Sequence, residues 1–290
     1  MLRTKLLSTI LALLALSSPL TILAEEHPLS AIPLRNIGPA LTSGRISDFA
    51  FVPGQFQSFY VAMASGGVWK TENNGITWQP VFDNEGSFAI GVVELDPSNP
   101  NIVWVGSGEN NAQRSVGFGD GVYKSIDGGK SWKHMGLKDS GHISMIRFHP
   151  DDRNTVYVAA QGPLWSPGGD RGLYRSTNGG DDWERILDID ENTGINEFVI
   201  DPENADVIVA SSYQRRRHVW TLINGGPGSG IHRSVDGGAS WQKVKGGLPS
   251  GDLGRIGLAA AVSAPGMILS LIHISEPTRR RDSSRMPSSA

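Results

Sequence analysis

The sequence predicts an all-β chain, a β-propeller of four-stranded antiparallel blades, and three observations carry that reading. A tryptophan-centred turn recurs four times: KTENNGITWQPV from Lys70, KSIDGGKSWKHM from Lys124, RSTNGGDDWERI from Arg175 and RSVDGGASWQKV from Arg233. Its tryptophans, Trp78, Trp132, Trp183 and Trp241, lie 54, 51 and 58 residues apart. Short apolar runs precede every copy in the same order, and 36 glycines and 17 prolines supply turns for short strands rather than long helices.

Each unit begins with a run ending in or near proline: ISDFAFVP, AIGVVELDP, ISMIRFHP and INEFVIDP. A second run follows as FYVAMAS, IVWVGSG, TVYVAAQ or VIVASSY, then a third as GVWK, GVYK, GLYR or GIHR, then the turn and a short last strand. These are about four strands per unit, with turn signals between them. One such sheet cannot bury both its faces alone, and stacking neighbours around an axis covers them. The blades are expected at 45–83, 88–136, 142–188 and 195–245, with a fifth begun at 254. Four and a fraction blades do not close comfortably, so the propeller is read as truncated, with further sequence needed to complete the ring.

The two ends are set apart from the blades. Residues 1–24 are expected to be a secretory signal peptide: Arg3 and Lys5 give a positive start, Leu6 to Leu23 are mostly apolar, and Ala24 precedes Glu25-Glu26. Pro19 in mid-segment argues against a retained membrane span, so a secreted or periplasmic protein is expected. Residues 269–279, LSLIHISEPTR, back-translate to a transposon-end sequencing adapter, and Ser284 to Ala290 to its flow-cell end in the same frame. Residues 269–290 are therefore expected to be a non-native tail, and Arg279, Arg280 and Arg281 carry no functional argument. Leu269–Ser275 is nevertheless apolar enough to complete a sheet edge.

Composition narrows the function classes. A net charge of −3 gives no reason to expect nucleic acid or an anionic membrane as partner. The absence of cysteine excludes disulfides, thiolate metal sites, a cysteine nucleophile and a lipoprotein anchor. Asp188, Asp190 and Asn192 mimic the opening of a calcium loop, but the glycine is displaced to Gly194 and Val199 stands where a bidentate glutamate belongs. No metal and no cofactor are expected.

The motif S/T-x-D/N-x-G-x-S/T-W resembles the Asp-box, or BNR repeat, of sialidases, sortilins and xyloglucanase-type glycosidases. Its clearest copies are Ser125, Asp127, Gly129, Ser131, Trp132 and Ser234, Asp236, Gly238, Ser240, Trp241. A third copy uses Ser176, Asn178, Gly180 and Trp183, with Asp182 replacing the hydroxyl residue, and the first has Asn73 at the aspartate position. Over residues 34–262 the chain looks most like secreted bacterial proteins with a sortilin N-terminal domain or glycosyl hydrolase BNR repeats. The chemistry of the motif itself is that of a turn. The carboxylate accepts backbone N–H bonds, glycine supplies positive φ, and tryptophan packs between blades.

If strands a to d run outward from the axis, the Asp-boxes are c–d turns and the long insertions are b–c loops on the opposite face. Those loops, 107–121, 161–172 and 211–230, are where a rigid scaffold usually carries binding. Glu109, Arg114, Asp120, Asp170 and Arg171 offer charge there, Trp165, His218 and Trp220 offer stacking surfaces, and Arg216 lies in the one native basic cluster, Arg215 to His218. The alternative is that these loops pack on one another and pair their charges internally.

Two functions follow from the resemblance. A sortilin-like propeller is a binding or scaffold module for a peptide, protein or carbohydrate ligand. A xyloglucanase-type propeller is a glycoside hydrolase, which needs two carboxylates. The resemblance places a catalytic aspartate at the end of strand b of the first blade, two residues ahead of a Gly-Gly pair; that position is Ala64 here, before Gly66-Gly67. Glu109 is the best remaining carboxylate. Binding is the preferred reading, with hydrolysis second and an assembly factor third.

Overall fold

The computed structural model describes residues 44–111, 116–261 and 266–274, among which there is no helix. Strands form where runs of β-branched and aromatic residues lie between glycine and proline punctuation. The first sheet pairs β1 (Ile46–Val52), β2 (Gln55–Met63), β3 (Gly67–Thr71) and β4 (Gln79–Pro80) in order. The second does the same with β5 (Ile90–Asp96), β6 (Asn99–Ser107), β7 (Val122–Ser125) and β8 (Lys133–His134), and the third with β9 (Ile143–Phe148), β10 (Val156–Ala160), β11 (Gly172–Ser176) and β12 (Glu184–Leu187).

The fourth sheet runs β13 (Thr193–Ile200), β14 (Ile208–Arg217), β16 (Gly230–Ser234), β17 (Gln242–Lys243), with β15 (Leu222–Asn224) folding back on the end of β14. Finally, β18 (Leu253–Ala260) pairs with β19 (Ile268–Ile274). All pairings are antiparallel, so the chain is all-β and built from propeller blades. Within β19, Leu269 and Leu271 are exposed while Ile272 packs on the last core cluster: the segment read as a tail completes a sheet edge.

Apolar layers between successive sheets hold the stack together. Val68, Phe82, Val93 and Val105 share one layer, Val92, Trp104, Ile146 and Val158 the next, Leu173, Leu187, Phe198 and Ala210 the third, and Val209, Ile231, Ile256 and Leu258 the fourth. Two of the turn tryptophans tie their blade to its neighbour. Trp132 Nε1 donates to Val81 O at 2.6 Å and Trp183 Nε1 to Met135 O at 2.6 Å, each reaching the preceding blade. Innermost strands are also stitched by side chains: Asp48 accepts from Val93 N, Ser144 Oγ donates to Ile195 O, and Glu197 accepts from Leu258 N.

Each Asp-box closes on itself. In the second blade Asp127 Oδ1 accepts from Lys130 N and Ser131 N at 3.0 and 2.9 Å, Oδ2 accepts from Ser131 Oγ at 2.6 Å, and Ser125 Oγ accepts from Gly129 N at 2.8 Å. Gly129 has φ +88°, which a side chain would strain. Asp236 repeats this arrangement with Ser240 and Ser234. In the third blade Asn178 Nδ2 donates to Asp182 at 3.0 Å, so carboxylate and donor have exchanged places and the turn keeps its bond.

The Ser131 and Ser240 hydroxyls, with the backbone donors, hold Asp127 and Asp236 down at about 2. A carboxylate depressed in the folded state stabilises it fully above the unfolded value near 4 and loses that contribution as pH falls through about 2. Asp127→Ala and Asp236→Ala should therefore melt below the parent at pH 7, and calorimetry at pH 2 should find most of the difference gone.

Candidate functional site

The Asp-boxes fill the β3–β4, β7–β8, β11–β12 and β16–β17 turns, and the long loops after β6, β10 and β14 leave from the opposite ends of the sheets. Backbone and side-chain bonds draw these three loops together. Arg217 N donates to Leu164 O at 2.8 Å, joining the fourth-blade loop to the third. Arg215 donates through Nη1 to Gln161 Oε1 at 2.7 Å and through Nη2 to Asn111 O, crossing from the fourth blade to the third and second. Between the second and third, Gly119 N donates to Gly141 O at 2.7 Å and Asp170 N to Asp139 O at 3.1 Å.

The charged residues expected to meet a ligand are mostly spent inside this scaffold. Glu109 has no solvent exposure; it is ion-paired with Arg45 and accepts from Asn111 Nδ2 at 3.2 Å. Arg171 is 1% exposed and gives its donors to the carbonyls of Gln161, Pro163, Ser166 and Gly168. Arg216 is 7% exposed and bonds Asn192 Oδ1 at 2.7 Å. Glu109 is thus engaged by Arg45 and the half-buried Asn111, Arg171 by backbone carbonyls, and Arg216 by the half-buried Asn192. Asp120 accepts from Tyr123 OH at 2.6 Å, and Asp170 accepts from Asp139 N at 2.9 Å. Arg114 lies outside the described residues.

The aromatic candidates have the opposite disposition. Trp165 is 59% and Trp220 83% exposed, and the His218 ring stacks on Trp220 with centroids 5.5 Å apart. Sequence reasoning missed Phe118, which is 80% exposed; its signal was an aromatic side chain flanked by two loop glycines. Phe118 and Trp165 line one cleft of about 430 Å³ between the second- and third-blade loops, together with Lys138, Asp139 and His142. His142, also missed, is 2% exposed, and its Nδ1 has no hydrogen-bond partner among the described residues. Burial first, then Arg215 and Arg171, push it down to about 3, so the ring stays neutral near pH 7.

Where the xyloglucanase resemblance expects an aspartate, Ala64 sits fully buried just past β2, its N–H donating to Arg45 O at 2.8 Å. No group of three or more histidine, aspartate or glutamate side chains is arranged to hold a metal among the described residues. Among the described residues there is no helix long and apolar enough to cross a membrane, since they form none.

Comparison with known proteins gives the following. A model of the Sortilin-Vps10 family, described as sortilin, neurotensin receptor 3, matches residues 66–221 and 120–249. Xyloglucanase Xgh74A of Acetivibrio thermocellus is 26% identical over 237 residues, covering 67% of this chain and 24% of that protein. A Paenibacillus sp xyloglucanase is 24% identical, covering 78% of this chain and 23% of that protein. The chain thus spans about a quarter of the length of these relatives. Among solved structures, an ancestral GH74 enzyme superposes with a TM-score of 0.54 at 24% identity, over 74% of this chain and 25% of that one. The GH74 enzyme of Niastella koreensis gives 0.52 at 22%, over 67% and 28%. At this identity the superpositions establish the propeller fold.

Proposed function

The chain belongs to the Sortilin-Vps10 family, and from that premise we propose that it is a secreted binding module that holds its ligand on the loop face opposite the Asp-boxes and does not cleave it. The observation that carries this reading is the disposition of aromatic side chains. Phe118, Trp165 and Trp220, from three successive blades, stand 80%, 59% and 83% exposed on one face, whereas Trp132 and Trp183 of the Asp-boxes are tied to neighbouring blades and Trp78 of the first blade is 42% exposed. Leaving large rings in water on cross-braced loops is unfavourable unless something covers them. The ligand is a peptide, protein or glycan, and the xyloglucanase relatives favour the last.

Hydrolysis is the second reading, favoured by those same relatives. Against it stand Ala64 at the expected carboxylate position and the complete burial of Glu109. Screening the purified protein against soluble plant and bacterial polysaccharides and a peptide library separates the two. Saturable binding without turnover is expected. Release of oligosaccharides, abolished by Glu109→Gln in a protein that still folds, would overturn the binding reading.

A further inference from the structure

We propose that the cleft between the second- and third-blade loops is a subsite for one neutral sugar ring of a polysaccharide. This rests on the loop face being the ligand face, and goes further in naming the place and the chemistry.

The cleft is walled by Phe118 and Trp165, and among the described residues neither ring contacts another aromatic group. A pyranose carries flat C–H faces and a belt of hydroxyls. Aromatic walls suit the faces, and polar groups at the edge and floor suit the hydroxyls. On the edge, Lys138 and Asp139 are exposed, adjacent and opposite in charge, and neither side chain makes an ion pair among the described residues. The lining also holds Asp120, half-buried and bonded to Tyr123 OH, so the cleft carries two carboxylates to one cation and is unsuited to an anion; Lys138 and Asp139 remain free to bond hydroxyls. At the floor lies the His142 ring, 2% exposed, whose Nδ1 has no hydrogen-bond partner among the described residues.

The same geometry disfavours a peptide laid down as an extra strand. Backbone around the cleft is already paired, through the β8–β9 connection and within the third blade: Gly119 N to Gly141 O at 2.7 Å, Asp170 N to Asp139 O at 3.1 Å and Gln161 N to His142 O at 2.9 Å. These paired groups are not available for main-chain pairing with a peptide. These cross-ties also preorganise the walls, which lowers the ordering cost of binding.

Affinity electrophoresis in native gels containing xyloglucan, mixed-linkage β-glucan or polygalacturonate tests the proposal. Retardation is expected in a neutral-polysaccharide gel. Phe118→Ala and Trp165→Ala should each weaken it at least about tenfold, the equivalent of about 1.4 kcal/mol, with melting temperatures close to the parent's because both rings are exposed. Trp165→Tyr, which keeps a stacking face, should retain most of it. Retardation confined to polygalacturonate would overturn the neutral-sugar assignment. Binding lost in Trp220→Ala but kept in Phe118→Ala and Trp165→Ala would remove the cleft and leave the loop face standing. Capture by immobilised peptides alone, sensitive to Trp220→Ala, would do the same. Binding indifferent to all three substitutions would remove both.

Discussion

Replacing Arg171 with alanine should destabilise the protein by about 3 kcal/mol or more, although a loop arginine is ordinarily a surface residue. Its guanidinium is 1% exposed and is the shared donor for the carbonyls of Gln161, Pro163, Ser166 and Gly168. Water can reach Ser166 and Gly168 once the side chain is gone. The inner two acceptors are left bare, at about 1–3 kcal/mol each. The loop is shaped around the side chain: Gly162 has φ +82°, and a Cβ there would come within 2.1 Å of Arg171 Cγ. Burial, with help from Arg216 and Arg215, pushes the guanidinium down to about 10, which leaves it charged at pH 7. Arg171→Lys should recover only part of the loss, because an ammonium does not reproduce the planar fork. Chemical denaturation of the three proteins measures this. An unchanged midpoint for Arg171→Ala, with ligand affinity lost, would return Arg171 to the ligand site.

Acidification should withdraw the stability that two buried neutral histidines contribute, against an opposing gain from Glu94, whose carboxyl burial pushes up to about 7. His142 is held neutral down to about 3 and His232 down to about 4, in both cases chiefly by burial. The unfolded chain takes up these protons near 6.5, and the folded one does not. With the folded value depressed, stability is whole above about pH 6.5 and declines as pH falls, by up to about 1.4 kcal/mol per unit for each histidine. By pH 4.5 His142 alone should withdraw about 2 to 3 kcal/mol. Urea unfolding from pH 8 to pH 4.5 should show this slope, and His142→Asn should flatten it even if the variant starts from lower stability. A His142→Asn slope no shallower than the parent's would contradict the buried neutral ring, since Glu94 titrates in both proteins alike. The Asp-box contribution lies in a separate window, below about pH 4, so the two effects can be distinguished.

The architecture was legible because a four-strand repeat leaves its mark on every blade. The proline after the first strand, the glycine before the third and the Ser–Asp–Gly–Trp turn are local features with local causes. The site was less legible, because burial in these loops is decided by distant partners. Arg215 reaches Asn111, 104 positions away, and Glu109 reaches Arg45, 64 positions away. Charge in a glycine-rich loop reads as surface, yet for Glu109, Arg171 and Arg216 the partners are backbone carbonyls, half-buried asparagine amides or a basic residue outside the loops. Phe118 has the reverse signature. Its flanking glycines leave the ring nothing to pack against, and that could have been read from Gly117-Phe118-Gly119 alone.

The exposed apolar side chains of the two faces provide the most direct comparison. Phe118, Trp165 and Trp220 stand on the loop face; Ile126 and Val235, 70% and 55% exposed, stand on the Asp-box turns. Ligand affinity should be measured for a Phe118→Ser, Trp165→Ser, Trp220→Ser triple variant and for an Ile126→Ser, Val235→Ser double variant, using whichever polysaccharide or peptide the parent binds. Loss of binding in the triple variant, with the double variant matching the parent, is the expected result. Binding that survives the triple variant and disappears in the double one would place the ligand on the Asp-box face and contradict the assignment.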